Sequence, residues 1–521
     1  NGASAKFDLD NEFIGLSEIE YDNRGVYFNL GNNTGLRHTF IDSNNVVNGQ
    51  TYYYAVTSYD RGSVNLQIAP SECSKLITVN PERNETFLDI NTVKIIPRPP
   101  AAGYTPGAVN NDLISHSYGR ATGVIKLDII DEMAIEDLDT FIVTFQENPI
   151  RYSVEDTKYE TEIYIAKINK FISLQKTWIN EVSFTLKDLE EETIYQAGLD
   201  YELDEEFGRI KALPNGNLIE GAAYRINYTY WPIKNSRLIN SEHSNPIFDG
   251  LKISVQNNEL ELNQSESGWT KTSSCNSVYS ITPYSGNDDY MYPADYEVHF
   301  YSSIVDTGSL NGILANFKIF EVTNGMEPQE QRFVVFDSDQ DEGIWNLGER
   351  VILLIGNEGL DPSWEFTLYP SQLEESIEPS DNDVLKISTD RPFTIEDIFT
   401  FNTSSSKIIS ENVKSAMDKI NVVPNPYVVT NALEQLDLQN PLDRGPRRIY
   451  FNHLPRDCKI YIYTISGSLV TTLHHNSAID DGIEYWDLTT KDNFPVSFGV
   501  YIYHVDAGSL GKKVGRFALI K

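Results

Sequence analysis

FGVYIYHVDAGSLGKKVGRFALIK, residues 498–521, alternates β-branched and aromatic positions on both sides of a Gly-rich interruption. That period of two is the signature of paired strands on a pleated surface. The blocks upstream read the same way: PNPYVV from Pro424, RRIYFNHLP from Arg447, CKIYIYTISGSLV from Cys458 and YWDL from Tyr485. Each is short and closed by Gly, Pro, Asn or Asp, as in a small antiparallel sandwich. GSLGKK, residues 508–513, lies between strands rather than before a helix, so it is a hairpin turn and not a phosphate loop.

The rest of the chain extends this all-β reading. At 521 residues it is too long for one hydrophobic core. Thirty Tyr and 24 Phe against four Met favour sheets. A formal net charge of −35 argues against nucleic acid and anionic lipid as partners. Cys73, Cys275 and Cys458 form no C-x-x-C pair and cannot build a disulfide framework. No apolar run approaches the roughly 18 residues of a membrane helix.

Five segments are expected. Residues 1–81 contain GLRHTFIDSNNVVNGQTYYYAVTSYDRG (35–62), with a turn at Asn48–Gly49 and alternating tyrosines after it. Residues 82–244 open on the Pro/Gly-rich stretch 95–111, expected as a linker or surface loop, and continue in alternating strands. Residues 245–409 form a third sandwich, opening on NPIFDGLKISV. Residues 410–421 form a short helical connector with Val413, Met417 and Ile420 on one face. Residues 422–521 are the last domain.

Two resemblances follow from these residues. The segment at 35–62 resembles the penultimate strand of a fibronectin type III domain, here short of its beginning, which implies that its tyrosines are packed in a core. The last domain resembles the Ig-like C-terminal sorting domains of type IX secretion, which are similar to the Ig-like domain of flagellar hook-capping proteins. The matching positions are Pro424, Asn425, Pro426, Tyr427, Ser466, Gly467, Trp486, Gly499, Tyr501, Tyr503, Lys512, Gly515 and Lys521. The resemblance implies export by an outer-membrane secretion machinery, to the exterior or cell surface of a Gram-negative, Bacteroidetes-like bacterium. Asn1 shows neither an initiator Met nor a signal peptide, so the expectation is a mature or partial product of a longer precursor.

Candidate chemistry is sparse. Asp337-Ser338-Asp339-Gln340-Asp341-Glu342-Gly343 places carboxylates at every second residue, as calcium loops do. Glu342 stands where the calcium-loop pattern puts Gly, and the closing acid, Glu349, comes late. An acidic hairpin tip fits better, with calcium at Asp337, Asp339, Asp341 and Glu349 as the alternative. The run from Asp200 to Glu206 reads as a solvated strand edge. Asp131, Glu132, Glu136 and Asp137 could pair as acid and base across a cleft, but no sugar-binding aromatic cluster lies near them in sequence. There is no G-x-S-x-G elbow and no H-E-x-x-H among the eight histidines; His474 and His475 are adjacent and point to opposite faces of a strand. The six tryptophans, Trp178, Trp231, Trp269, Trp345, Trp364 and Trp486, are read first as core, and second as platforms for sugars.

The reading is therefore a non-enzymatic, extracellular structural or adhesive protein, part of a surface layer or filament through self-assembly of edge strands. The alternatives are the accessory region of a secreted hydrolase and a carbohydrate-binding module recognising a surface glycan.

Overall fold

The computed structural model describes residues 5–9, 11, 13–21, 25–35, 40–42, 46–80, 85–137, 139–240, 247–323, 327–336, 343–355, 361–372, 375–428 and 447–520. The fold is all-β, with 48% strand against 4% helix. No described helix is long and apolar enough to cross a membrane. The chain divides into two compact units, one of residues 1–108, 129–137 and 403–521, the other of 109–128 and 138–402.

The first unit holds the C-terminal sandwich. A three-stranded sheet (Asn421–Val423, Ile449–Asn452, Glu484–Trp486) faces a five-stranded one. In the larger sheet the order is Tyr427–Val428, Lys512–Ile520, Gly499–Asp506, Asp457–Thr464, Leu469–Asn476. All its pairs are antiparallel except Tyr427–Val428, which runs parallel to Lys512–Ile520. Alternation decides what lies inside: Tyr501, Tyr503 and Val505 are buried with Phe517 and Leu519, against Tyr427, Phe451 and Trp486 from the entry and the facing sheet. Gly515 is required where it stands, because a Cβ there would lie 2.3 Å from the buried Tyr503 ring. The helix Ser410–Ala416 is not a free connector. Met417 and Ile420, just beyond it, belong to the sandwich core, and the Ile420 carbonyl accepts from the Tyr503 hydroxyl at 3.1 Å.

The Pro-rich stretch is not a surface loop either. Ala101 and Ala102 are buried, and their N–H groups donate to the carbonyls of Ile479 (3.0 Å) and Leu454 (2.9 Å). The Pro99 carbonyl in turn accepts from the Gly482 N–H at 2.9 Å. Proline removes donors but leaves acceptors, so composition excluded helix there without excluding burial. The tyrosine-rich strand is shorter than its alternation suggests: only Tyr52–Ala55 is strand, and it pairs with Thr92–Ile95, across the expected boundary at 81/82. Its tyrosines are half-buried rather than core, and Val56 is 80% exposed.

The second unit is built on two large sheets. A seven-stranded sheet has the order Ile194–Tyr195, Thr185–Lys187, Ala223–Ser236, Arg151–Ile165, Thr140–Gln146, Ile398–Ser404, Ala108–Tyr118. The eight-stranded sheet runs Gly268–Trp269, Val384–Ile387, Tyr296–Phe300, Phe317–Glu321, Gln329–Phe336, Arg350–Ile355, Asp361–Tyr369, Val278–Pro283. It curls around one core of Phe300, Phe317, Phe333, Trp345, Trp364 and Phe366, and its two end strands approach closely enough for the Trp269 indole N–H to donate to the Ser277 carbonyl at 2.8 Å.

Pairing does not respect a division at 244/245. Ile398–Ser404 returns to pair with Thr140–Gln146, and strand Leu251–Gln256 shares a sheet with Val124–Ile129. Alternation shows that a segment is a strand and which face it buries, but not which strand lies beside it. The return segment is fixed by buried charge. Arg391 donates through Nη1 to Asp295 Oδ1 (2.7 Å) and through Nε to the Arg120 carbonyl (2.5 Å). The carboxylate of Asp397, wholly buried, accepts from the N–H groups of Ala121 (2.9 Å) and Thr394 (2.7 Å) and from the Thr394 hydroxyl (2.8 Å), and pairs with His116 Nε2 at 2.9 Å. Replacing Asp397 by Ala leaves these donors unpaired in the interior and should cost about 3 kcal/mol or more. Urea unfolding of the full chain would show it as a lowered midpoint for the transition of this unit, with Asp397→Asn intermediate.

Candidate functional site

The expected calcium ligands are only partly placed. Asp337, Asp339 and Asp341 lie outside the described residues. Glu349 is buried at the turn before the Arg350–Ile355 strand, and its Oε2 accepts from the Asn346 N–H at 2.8 Å. Among the described residues no group of three or more His, Cys, Asp or Glu side chains is arranged to hold a metal ion.

The other acidic runs close turns. Asp200 accepts from the Gln196 N–H (2.8 Å) and from the Asn217 N–H and side-chain amide (2.9 and 2.8 Å). Burial works against ionisation there, but these donors outweigh it and lower the Asp200 pKa. Glu132 accepts from the Tyr104 hydroxyl at 2.7 Å, and Asp131 and Asp137 accept from the N–H groups of Met133 and Ser405. Each of these three carboxylates accepts from a different donor.

His474 and His475 point to opposite faces, as a strand requires: His474 is exposed and His475 buried. His475 Nδ1 faces Glu484 Oε2 at 3.1 Å and its Nε2 faces Ser477 Oγ at 3.0 Å. This has the connectivity of an acid–His–Ser relay. The Ser477 hydroxyl, however, lies 2.5 Å from the Asp481 carbonyl, which can only accept, so its proton is committed away from the imidazole. The arrangement is a clasp that ties the Leu469–Asn476 strand to Glu484–Trp486 in the facing sheet.

The site with the densest unexplained chemistry lies in the second unit. Gln175, Lys176, Thr177, Tyr230, Trp231 and Asp249 line an open cleft of about 240 Å³. Lys176 Nζ lies 2.8 Å from the Tyr230 hydroxyl, 3.4 Å from Glu160 Oε1 and 3.5 Å from Asp249 Oδ1. Asp249 Oδ2 pairs with the Tyr230 hydroxyl at 3.0 Å. Burial alone would lower the Lys176 pKa, but the Asp249 and Glu160 carboxylates outweigh it and hold it raised. The Tyr230 phenol is pushed up by burial and by Asp249 and Asp156.

Each group sits on a fixed element. Asp249, at φ 45°, and Gly250 form the turn between the paired strands Ile247–Phe248 and Leu251–Gln256. The hairpin between Tyr201–Asp204 and Arg209–Ala212 presses on the Lys176 backbone so closely that a Cβ on Gly208 would lie 1.9 Å from the Lys176 carbonyl oxygen. Trp231 N–H donates to the Trp178 carbonyl at 2.9 Å, and Lys234 Nζ lies 3.8 Å from the Trp231 ring centroid.

Asp156 is buried beside this network. Its Oδ1 accepts from the Lys158 N–H at 2.9 Å. Burial pushes its carboxyl up to about 7; the Asp139 and Asp249 charges add to this, while the Lys158 N–H and Lys176 oppose it.

Sequence reasoning named Trp231 but missed Lys176, Tyr230, Asp156 and Asp249. One signal was available. Tyr152, Val154 and Asp156 occupy the inward face of a strand of period two, and a carboxylate on that face is a group out of place. Three of the six tryptophans, Trp345, Trp364 and Trp486, are core; Trp178, Trp231 and Trp269 are half-buried.

No protein-family model matches the chain, and no curated protein is similar to it. Among solved structures it overlaps PorZ, an essential bacterial surface component of the type-IX secretion system of Porphyromonas gingivalis. The overlap covers 42% of this chain and 22% of PorZ, at 15% identity and a TM-score of 0.16. The match thus spans less than a quarter of PorZ, and at that TM-score it carries no argument about fold or function.

The Asp156 environment predicts a pH effect of definite sign. Between about pH 4 and 7 the unfolded carboxyl ionises while the folded one keeps its proton, so stability falls as pH rises through that window and levels off above it. Asp156→Asn keeps an acceptor for the Lys158 N–H without the charge. It should leave the melting temperature unchanged near pH 4 and raise stability by about 2–4 kcal/mol at pH 8, measured by thermal melting of both proteins across that range.

Proposed function

We infer that this chain is a non-catalytic extracellular protein of a bacterial surface, carried out of the cell by its C-terminal sandwich. The observation that supports this is the convergence of the motif residues. Tyr427, Trp486 and the pair Tyr501 and Tyr503, from three separate strands, meet in one core, and Gly515 is kept small by the Tyr503 ring. Five of the positions that carry the resemblance to type IX sorting domains thus shape the sandwich which a secretion machinery would have to recognise. The serially paired sheets upstream have the character of a passenger built for rigidity, a layer or filament component.

The reading is tested by export. In a type IX-competent bacterium, removing residues 410–521, which include the core residues Met417 and Ile420, should trap the chain in the periplasm, and fusing those residues to a periplasmic reporter should bring the reporter to the surface. A truncated chain that still reaches the surface, or a reporter that stays behind, would refute it.

Calcium at Asp337, Asp339, Asp341 and Glu349 belongs to the same proposal. Extracellular modules bind the ion at about 10⁻⁴–10⁻³ M. Millimolar calcium should therefore raise the melting temperature of the full chain and EDTA should reverse the gain, whereas Asp339→Asn with Asp341→Asn should abolish the response. An unchanged melting temperature would leave the acidic hairpin tip as the reading.

A further inference from the structure

The cleft at Lys176, Tyr230, Trp231 and Asp249 has no part in the export reading, and it gathers charged, hydroxyl and aromatic groups around open space. We propose that it takes a single neutral sugar ring, the exposed end of a glycan chain, with the Trp231 indole as the stacking face and Asp249 and Lys176 as the hydrogen-bonding groups. This does not rest on the export reading, and either can fail alone.

Size is the first argument. At about 240 Å³ the cleft falls below the roughly 300–1,000 Å³ of sites that enclose drug-sized ligands, and it is open on one side. It has room for one ring whose next residue continues into solvent.

Charge is the second. Lys176 is flanked by Asp249 at 3.5 Å and Glu160 at 3.4 Å, so its positive charge is already answered. A phosphate or carboxylate ligand would meet two carboxylates beside one ammonium, on a chain of net charge −35, and is disfavoured. An uncharged polyol is favoured, because a carboxylate accepts from hydroxyls and an ammonium donates to them without net charge having to be matched.

The third argument is shape. Sugar rings present an apolar C–H face, which packs on an aromatic plane. Trp231 lines the cleft, and Lys234 Nζ lies over one face of its indole at 3.8 Å, so the opposite face is the one proposed for the sugar. Gln175 and Thr177 add amide and hydroxyl groups at the rim. The polar groups are also held in place beforehand: Asp249 by its turn and the Tyr230 hydroxyl, Lys176 by the hairpin packed on its backbone. Groups already fixed on rigid elements lose little freedom on binding, which a weak single-ring site needs.

The test uses the full chain with methyl β-D-glucopyranoside, methyl α-D-mannopyranoside and N-acetylglucosamine as neutral probes, and glucose 6-phosphate as the anionic counterpart. Saturation-transfer NMR and tryptophan fluorescence are the readouts. At least one neutral probe should show saturable transfer into its ring C–H protons, with a Kd on the order of 1 mM. Trp231→Ala should abolish the transfer, Trp231→Phe should keep part of it, and Asp249→Asn should weaken binding about tenfold. Melting of the Trp231→Phe and Asp249→Asn chains separates loss of the site from loss of the fold. No saturable transfer from any neutral probe, transfer unchanged in Trp231→Ala, or tighter binding of the phosphate ester would each overturn the assignment.

Discussion

A guanidinium buried almost completely, that of Arg391, is the constraint on which the second unit depends. An arginine cannot shed its charge, so removing it from water is tolerable only where its donors find partners. Here they find Asp295, the Arg120 carbonyl and the Thr389 carbonyl and hydroxyl, groups from separate stretches of chain. A few residues on, Asp397 does the same with the opposite charge. Between these two anchors the chain leaves the curled eight-stranded sheet and delivers Ile398–Ser404 to the seven-stranded one, with Phe393 stacked on Phe145 at 4.1 Å and packed against Phe399. Hydrophobic burial alone would accept several threadings of a sequence this uniformly alternating. The buried charges accept one, because each wrong neighbour would leave a donor or a charge stranded.

The Lys176 network differs from these anchors in how its charges are spent. Arg391 and Asp397 face only protein, and each works as a fastener. Lys176, Tyr230 and Asp249 answer one another yet border open space. Asp156, immediately behind them, is a carboxyl in surroundings that disfavour its ionised form. A sequence selected only for stability would place an amide or an apolar side chain there.

Much of the fold was legible because alternation is a local signal. The strands from Gly499 to Ile520, the burial of Tyr501 and Tyr503, and the opposed faces of His474 and His475 all follow from a period of two. What was not legible is what alternation does not carry. Nothing in RPPAA says that Ala101 and Ala102 lie against Ile479 and Leu454, and nothing in DRPFTIEDIFTF names Thr140–Gln146 as its neighbour. The cleft was hidden for the same reason. Lys176, Tyr230 and Asp249 each sit in an ordinary local context, and only the pairing of three separate segments brings them together. The tyrosines at 52–54 erred in the other direction, since their pattern promised a core and they are only half-buried.

The parallel pair at the entry of the C-terminal sandwich has a mechanical consequence. Tyr427–Val428 and Lys512–Ile520 are neighbours running the same way, the first near the start of the domain and the second its last strand. Tension applied between those two ends pulls parallel neighbours in opposite directions along their own axes. The bonds between them are then loaded together, in shear, instead of being peeled apart one after another. The Lys513–Asp418 ion pair and the Tyr503–Ile420 hydrogen bond also link the sheet to the segment just before the domain, and add to the same clamp. A module wired in this way meets a pull on its ends with bonds that share the load instead of taking it in turn.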